Sequence, residues 1–147
     1  MKKKTLLLLL ICIALIALVG VLALVMGSPN RQAPENLEAA PGYVYISAGG
    51  QGKWFMLPEK ETPLQLSRTG ENGQEIRNVV VLFPQGAYMQ SSTCENQDCV
   101  HQGQVTLENK EKRELQNMIL CLPNEVIIEL YSPEEIAAME TAPTTNP

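Results

Sequence analysis

The sequence predicts a mainly β protein: a small antiparallel β sandwich or barrel-like domain with a short C-terminal helix, preceded by one transmembrane helix. Three observations carry this reading. An uncharged apolar run opens the chain. Short β-branched and aromatic segments then alternate with Gly- and Pro-containing turns. One segment, near the end, has the chemistry of a helix start.

The apolar run is Leu6–Met26, twenty-one residues without a charge, long enough at the helical rise to cross about 30 Å of hydrocarbon. Lys2, Lys3 and Lys4 precede it and no basic residue follows until Arg31, which predicts a cytoplasmic N-terminus and an exported remainder. A cleaved signal peptide is the alternative, but its apolar region would normally be shorter, about 7–15 residues. A single-pass anchor in the cell membrane is the preferred reading, and both readings export the rest. Cys12, preceded by Ile11, lacks the small residue that lipidation needs and reads as an apolar member of the span. The predicted division is residues 1–27 as basic start and anchor, 28–42 as a proline-containing linker, 43–140 as the β domain, and 141–147 as a disordered tail.

Beyond residue 27 lie all sixteen acidic residues and eight of the eleven basic ones, a formal charge of −8. Such a surface repels phosphate backbones, so no nucleic-acid partner is expected. The expected partners are the membrane, through residues 6–26, and a membrane or extracytoplasmic protein.

In order along the domain, Tyr43–Ala48 and Lys53–Leu57 read as strands flanking a "GGQG" hairpin turn. Trp54 reads as the largest core residue. "TPLQLSR" alternates Leu64 and Leu66 as a short strand or extended arm. Glu75–Phe83 is long and β-branched enough for a central strand, and "PQG" turns the chain into "AYMQSS". "ENKEKRELQN" has nearly cancelling charges and reads as a solvated hairpin tip. "MILCLPNEVIIELY" holds two apolar runs broken at Pro123-Asn124, where a turn or bulge is expected. In "SPEEIAAMET", Ser132 is an N-cap, Pro133 suits the first helical position, and Glu135 completes a capping box. Val80, Leu82, Ile119 and Ile127 join Trp54 in the predicted core.

"STCENQDCVHQGQV" holds Cys94, Cys99 and His101, the chain's single histidine, and Cys121 follows in "ILCLP". Cys94, Cys99, His101 and Cys121 are the weak candidates for a metal site, since structural zinc takes four such ligands. The C-x4-C spacing is loose for a zinc knuckle, and no metal or cofactor is expected. A Rieske centre needs two histidines. A thiol oxidoreductase would show C-x-x-C at a helix start, and no helix signal follows Cys99. Cysteine nucleophile catalysis needs a base and an orienting partner that nothing supplies. No phosphate loop, G-x-S-x-G or H-E-x-x-H occurs, and the chain is not expected to be an enzyme. A structural disulfide is the favoured outcome. Cys94–Cys99 would close a short loop and a bond to Cys121 would tie that loop to a later strand; spacing alone leaves the connectivity open. Cys121, between two leucines, best suits the buried unpaired thiol.

The S-x-C-x4-C-V-x-x-G element, with Ser92, Val100 and Gly103, and the C-L-P-N element, with Leu122, Pro123 and Asn124, resemble the NusG domain II family across about Tyr43–Leu130. The resemblance implies a small β domain, in many members a stand-alone protein with one N-terminal anchor. It transfers no catalytic residue and fixes no histidine at position 101. It also implies an accessory role beside membrane flavin-transfer and quinone-linked redox components. Two functions are therefore expected. The first is a non-enzymatic binding or organising module presenting the Cys94–Gly103 loop. The alternative is an accessory redox protein of a membrane electron-transfer system, using Cys94, Cys99 and Cys121.

Overall fold

Among the described residues, eight short strands pair into two four-stranded antiparallel sheets, as brief apolar segments separated by tight turns should. The computed structural model describes residues 40–141. The expected anchor at residues 6–26, nearly all of the 28–42 linker and residues 142–147 lie outside them. No helix among the described residues is long and apolar enough to cross a membrane.

The first sheet runs β2 (Gln51–Met56), β1 (Tyr43–Ala48), β8 (Val126–Tyr131), β7 (Met118–Cys121). The second runs β3 (Thr62–Thr69), β4 (Glu75–Phe83), β5 (Gly86–Ser92), β6 (Val105–Thr106). Helix α1 (Asp98–His101) lies between β5 and β6, a 3-10 turn covers Lys110–Lys112, and α2 (Pro133–Thr141) follows β8.

The main core lies between the sheets. Val44, Ile46, Ile119, Ile128 and Leu130 of the first pack with Val80, Leu82, Ala87, Met89 and Val105 of the second. Strand alternation puts Tyr43, Tyr45 and Tyr131 on the outer face of the first sheet, where Ile136 of α2 covers them. Trp54 belongs to this smaller outer cluster: it is half-buried, with its ring 5.0 Å from Tyr45 and 5.4 Å from Tyr131. It is therefore not the main-core residue expected. Ile127 is also half-buried, because the register of β8 turns Val126, Ile128 and Leu130 inward instead.

Turn chemistry sets the registers. Ala48 pairs with Gln51 across Gly49-Gly50, both at positive φ, so the hairpin is tighter than expected and β2 starts two residues early. Phe83 pairs with Gly86 across Pro84-Gln85. A β-carbon on Gly86 would lie 1.9 Å from the Val105 carbonyl, so only glycine lets β6 pair there.

The capping box forms as predicted. The Ser132 amide donates to Glu135 Oε2 at 2.7 Å and the Glu135 amide to Ser132 Oγ at 3.3 Å. The charged segment departs from expectation. It folds into turns and the 3-10 turn, and Lys110, only 6% exposed, pairs with Glu135. A buried ammonium needs such a partner, so this segment is docked against α2 and is not a free hairpin tip.

Candidate thiol site

A bulge in β5 creates the site. Val79 pairs with Ser91 but Val80 with Met89, which leaves Gln90 as an extra residue. Regular alternation from buried Met89 would point Ser91 inward and Ser92 outward. The extra residue reverses that, and Ser92 turns in beside Asn78 while Ser91 is exposed.

Cys94 follows β5, Cys99 sits in α1 and Cys121 ends β7. Their three sulfurs lie within 4.8 Å of one another. Cys94 is 5% exposed and Cys99 and Cys121 are 1%. The Cys94 and Cys99 sulfurs are 3.5 Å apart and all three cysteines are free thiols. The expected disulfide is thus not formed here, although its partners are adjacent. Cys121 is buried beside them.

The loop geometry explains the gathering. Gln97 adopts a left-handed conformation, φ 55, and its side-chain amide donates to the Ser92 carbonyl at 2.9 Å and to the Cys94 carbonyl. That fold-back allows one helical turn to start at Asp98 and carry Cys99 inward, where no helix was expected. Gln102 then pins α1 to the edge strand β7: its amide nitrogen donates to the Leu120 carbonyl and its oxygen accepts the Leu120 amide, both at 2.8 Å. Gly103, at φ 70, ends the turn, and Val100 packs half-buried against the core.

Ser92 is the polar hub. Its Oγ accepts from Asn78 Nδ2 and Asn124 Nδ2, each at 3.0 Å, and from the Cys94 amide at 3.1 Å. The same hydroxyl lies 3.5 Å from Cys121 Sγ, a hydrogen bond in which either group can donate. Asn124 also donates to Asn78 Oδ1 at 2.9 Å. The two buried asparagines thereby satisfy each other and the serine.

These donors sort the thiols. Burial raises Cys121, but hydrogen bonds from Ser92, Cys99, Asn78 and the Asn124 backbone outweigh it and hold that thiol below its ordinary value. Cys99 is pushed up to about 12 by burial and by its hydrogen bond to Cys121. Of this pair, Cys121 is the more acidic thiol and Cys99 the less acidic one.

A cavity of about 240 Å³ opens onto Cys99 and Cys121, between Leu115, Leu120, Leu122 and Pro123. Leu122 is 75% exposed and Pro123 is exposed, whereas Asn124 is turned in. His101 is exposed on α1 and is not among the residues that could share a metal with the three cysteines. Asn78, Gln97 and Gln102 had not been singled out from sequence. Asn78 alone left a signal, as a polar residue inside an apolar strand.

No curated protein matches the chain. Three solved structures are similar at low identity. A DUF1312 family protein from Enterococcus faecalis V583 is 14% identical, over 63% of this chain and 98% of that one, with a TM-score of 0.47. The Lin0431 protein from Listeria innocua is 18% identical, over 63% and 97%, also with a TM-score of 0.47. A DUF1312 family protein from Ruminococcus gnavus ATCC 29149 is 20% identical, over 62% and 99%, with a TM-score of 0.40. The NusG domain II family model matches residues 7–134, which takes in every strand, all three clustered cysteines and the start of α2. The chain belongs to the NusG domain II family.

Proposed function

We propose that this protein is an accessory redox component held at the outer face of the cell membrane by residues 6–26, and that Cys94, Cys99 and Cys121 exchange disulfides with a protein dithiol. The observation that carries the reading is the gathering of three sulfurs within 4.8 Å, from a loop, a helix and a strand. Two sulfurs suffice for an inert staple; a third beside them permits exchange. The apolar run, the lysines before it and a family match beginning inside that run support the anchor.

In the oxidised form Cys94 and Cys99 share a disulfide. The Cys121 thiolate attacks the Cys99 sulfur, a Cys99–Cys121 bond forms, and Cys94 leaves and takes up a proton. The new bond lines the cavity, where a partner dithiol reduces it. Two electrons and two protons pass to the cluster and the partner departs as a disulfide. The Ser92 hydroxyl, 3.5 Å from Cys121 Sγ, stabilises the attacking thiolate.

The test is to poise the whole chain in thiol–disulfide buffers between about −180 and −300 mV, quench with acid and map disulfides by fragment mass. The reading expects both Cys94–Cys99 and Cys99–Cys121 bonds, with Cys121→Ala accumulating only the first. Free thiols at Cys94, Cys99 and Cys121 at every potential, or one bond unaffected by Cys121→Ala, would end it. A second reading, a binding or organising module without redox chemistry, draws on exposed Leu122 beside the same cavity. A partner that still binds after all three cysteines are replaced would favour it.

A further inference from the structure

We infer that the reduced cluster is a three-thiolate site for a soft monovalent metal, with copper(I) as the fitting ion. This inference is independent of the disulfide-exchange reading, because it needs only the thiols and no partner.

Ligand number comes first. Cys94, Cys99 and Cys121 are the only group of three or more potential ligands of that kind among the described residues, and no histidine or carboxylate joins them. A closed zinc site asks for four ligands in a tetrahedron. A soft ion that favours thiolates and accepts three is better matched to a site with three sulfurs and nothing else.

Spacing agrees. With metal–sulfur bonds of about 2.3 Å, three sulfurs around a trigonal ion stand roughly 4.0 Å apart. Here one pair is at 3.5 Å and every pair is within 4.8 Å. Small side-chain rotations therefore close the triangle without moving a strand. The residues come from three separate elements, yet the Gln102–Leu120 hydrogen bonds fix α1 to β7 and hold Cys99 against Cys121.

The surroundings are those of a metal thiolate site. All three residues are buried, which limits the access of oxidants to the sulfurs. Ser92 faces Cys121 Sγ at 3.5 Å and Gln97 Nε2 faces Cys94 Sγ at 3.9 Å, donors that offset thiolate charge and orient the ligands. The cavity over Cys99 and Cys121 supplies the entry path that a buried site needs.

The experiment titrates the whole, fully reduced chain with copper(I) under anaerobic conditions against a competing chelator, and reads the metal–sulfur shell by X-ray absorption. The expected result is one copper per chain, with a shell of three sulfurs and no nitrogen. Cys94→Ser, Cys99→Ser and Cys121→Ser should each weaken binding by more than the roughly 10–100-fold typical of outer-shell changes. His101→Ala should bind as the parent does. A nitrogen in the shell, His101→Ala losing affinity like the cysteine variants, or zinc displacing copper(I) at equal concentration would overturn the assignment. Should a cysteine variant fail to fold, the absorption spectrum of the parent decides alone: three sulfurs sustain the site, and two or four sink it. The disulfide mapping above is indifferent to this outcome, so the two readings fail separately.

Discussion

In an Asn124→Ala variant, the side-chain amide that ties the floor of the thiol site together disappears. Asn124 is 5% exposed, and its amide nitrogen donates to Asn78 Oδ1, Ser92 Oγ and, at 3.3 Å, Thr93 Oγ1. Asn78 Nδ2 keeps Ser92 as a partner, but Asn78 Oδ1 loses the donor it has here, inside a nearly closed environment. A typical hydrogen bond contributes about 0.5–1.5 kcal/mol net, and an unsatisfied buried acceptor costs about 1–3 kcal/mol. The expected loss is therefore about 2–4 kcal/mol, a large share of the roughly 5–15 kcal/mol of an ordinary domain. Trp54, the single tryptophan, makes tilted ring contacts with Tyr45 and Tyr131 and so reports unfolding directly in a denaturant titration by fluorescence. Ser92→Ala and the double variant complete a cycle, and residues sharing one network should couple by about 0.5–3 kcal/mol. A loss below about 0.5 kcal/mol, the range of a neutral surface change, or strict additivity with Ser92→Ala would refute the reasoning.

Further outcomes are expected from other parts of the fold. Ser92→Ala removes the hydroxyl facing Cys121, so the Cys121 thiol should rise and its alkylation near pH 8, followed by fragment mass, should slow; an unchanged rate would remove Ser92 from the site. Glu135 is raised by burial, but the Lys110 ammonium and the Ser132 amide more than offset this and hold its carboxyl below the ordinary 4.5. Its contribution to stability is thus present above about pH 4.5 and lost as pH falls through the lower folded value. Glu135→Gln, which can still close the capping box but leaves the buried Lys110 ammonium without its counter-charge, should flatten this acid limb in pH-dependent unfolding and lower stability at neutral pH. Gly86→Ala drives a methyl group into the Val105 carbonyl and should cost about 1–3 kcal/mol, with hydrogen exchange accelerated at β6; intact protection there would contradict the packing.

Several parts of the fold were legible in the residues because their causes are local. Ser132, Pro133 and Glu135 specify a helix start within four positions, and the reciprocal hydrogen bonds are where those side chains require them. Val80, Leu82 and Ile119 sit in apolar strand segments and lie in the core between the sheets. Ile127 shows the limit. In "VIIELY" Ile127 and Ile128 are both apolar enough to face inward, and the register of β8 turns Ile128 to the core. Trp54 was misplaced for a related reason: alternation says that it shares a face with neighbours two residues away, but not which face of the sheet the second sheet covers. Lys110 was illegible as a buried residue, since its partner Glu135 is twenty-five positions later.

The site divides in the same way. By itself the sequence determined that the domain is mainly β, that it ends in a capped helix, that it belongs with proteins carrying the C-x4-C and C-L-P-N elements, and which three cysteines to watch. Each of these follows from residue type and short-range spacing. Tertiary structure alone decided that the three sulfurs meet, that His101 stands apart from them, and that Ser92 faces inward to serve Cys121. Those outcomes rest on one extra residue in β5, a left-handed Gln97 and the grip of Gln102 on an edge strand. A bulge reverses which side of a strand faces inward, and a fold-back redirects a loop. Neither changes composition or periodicity enough to be read along the chain, because the energy that selects them comes from groups brought together only when the sheets close.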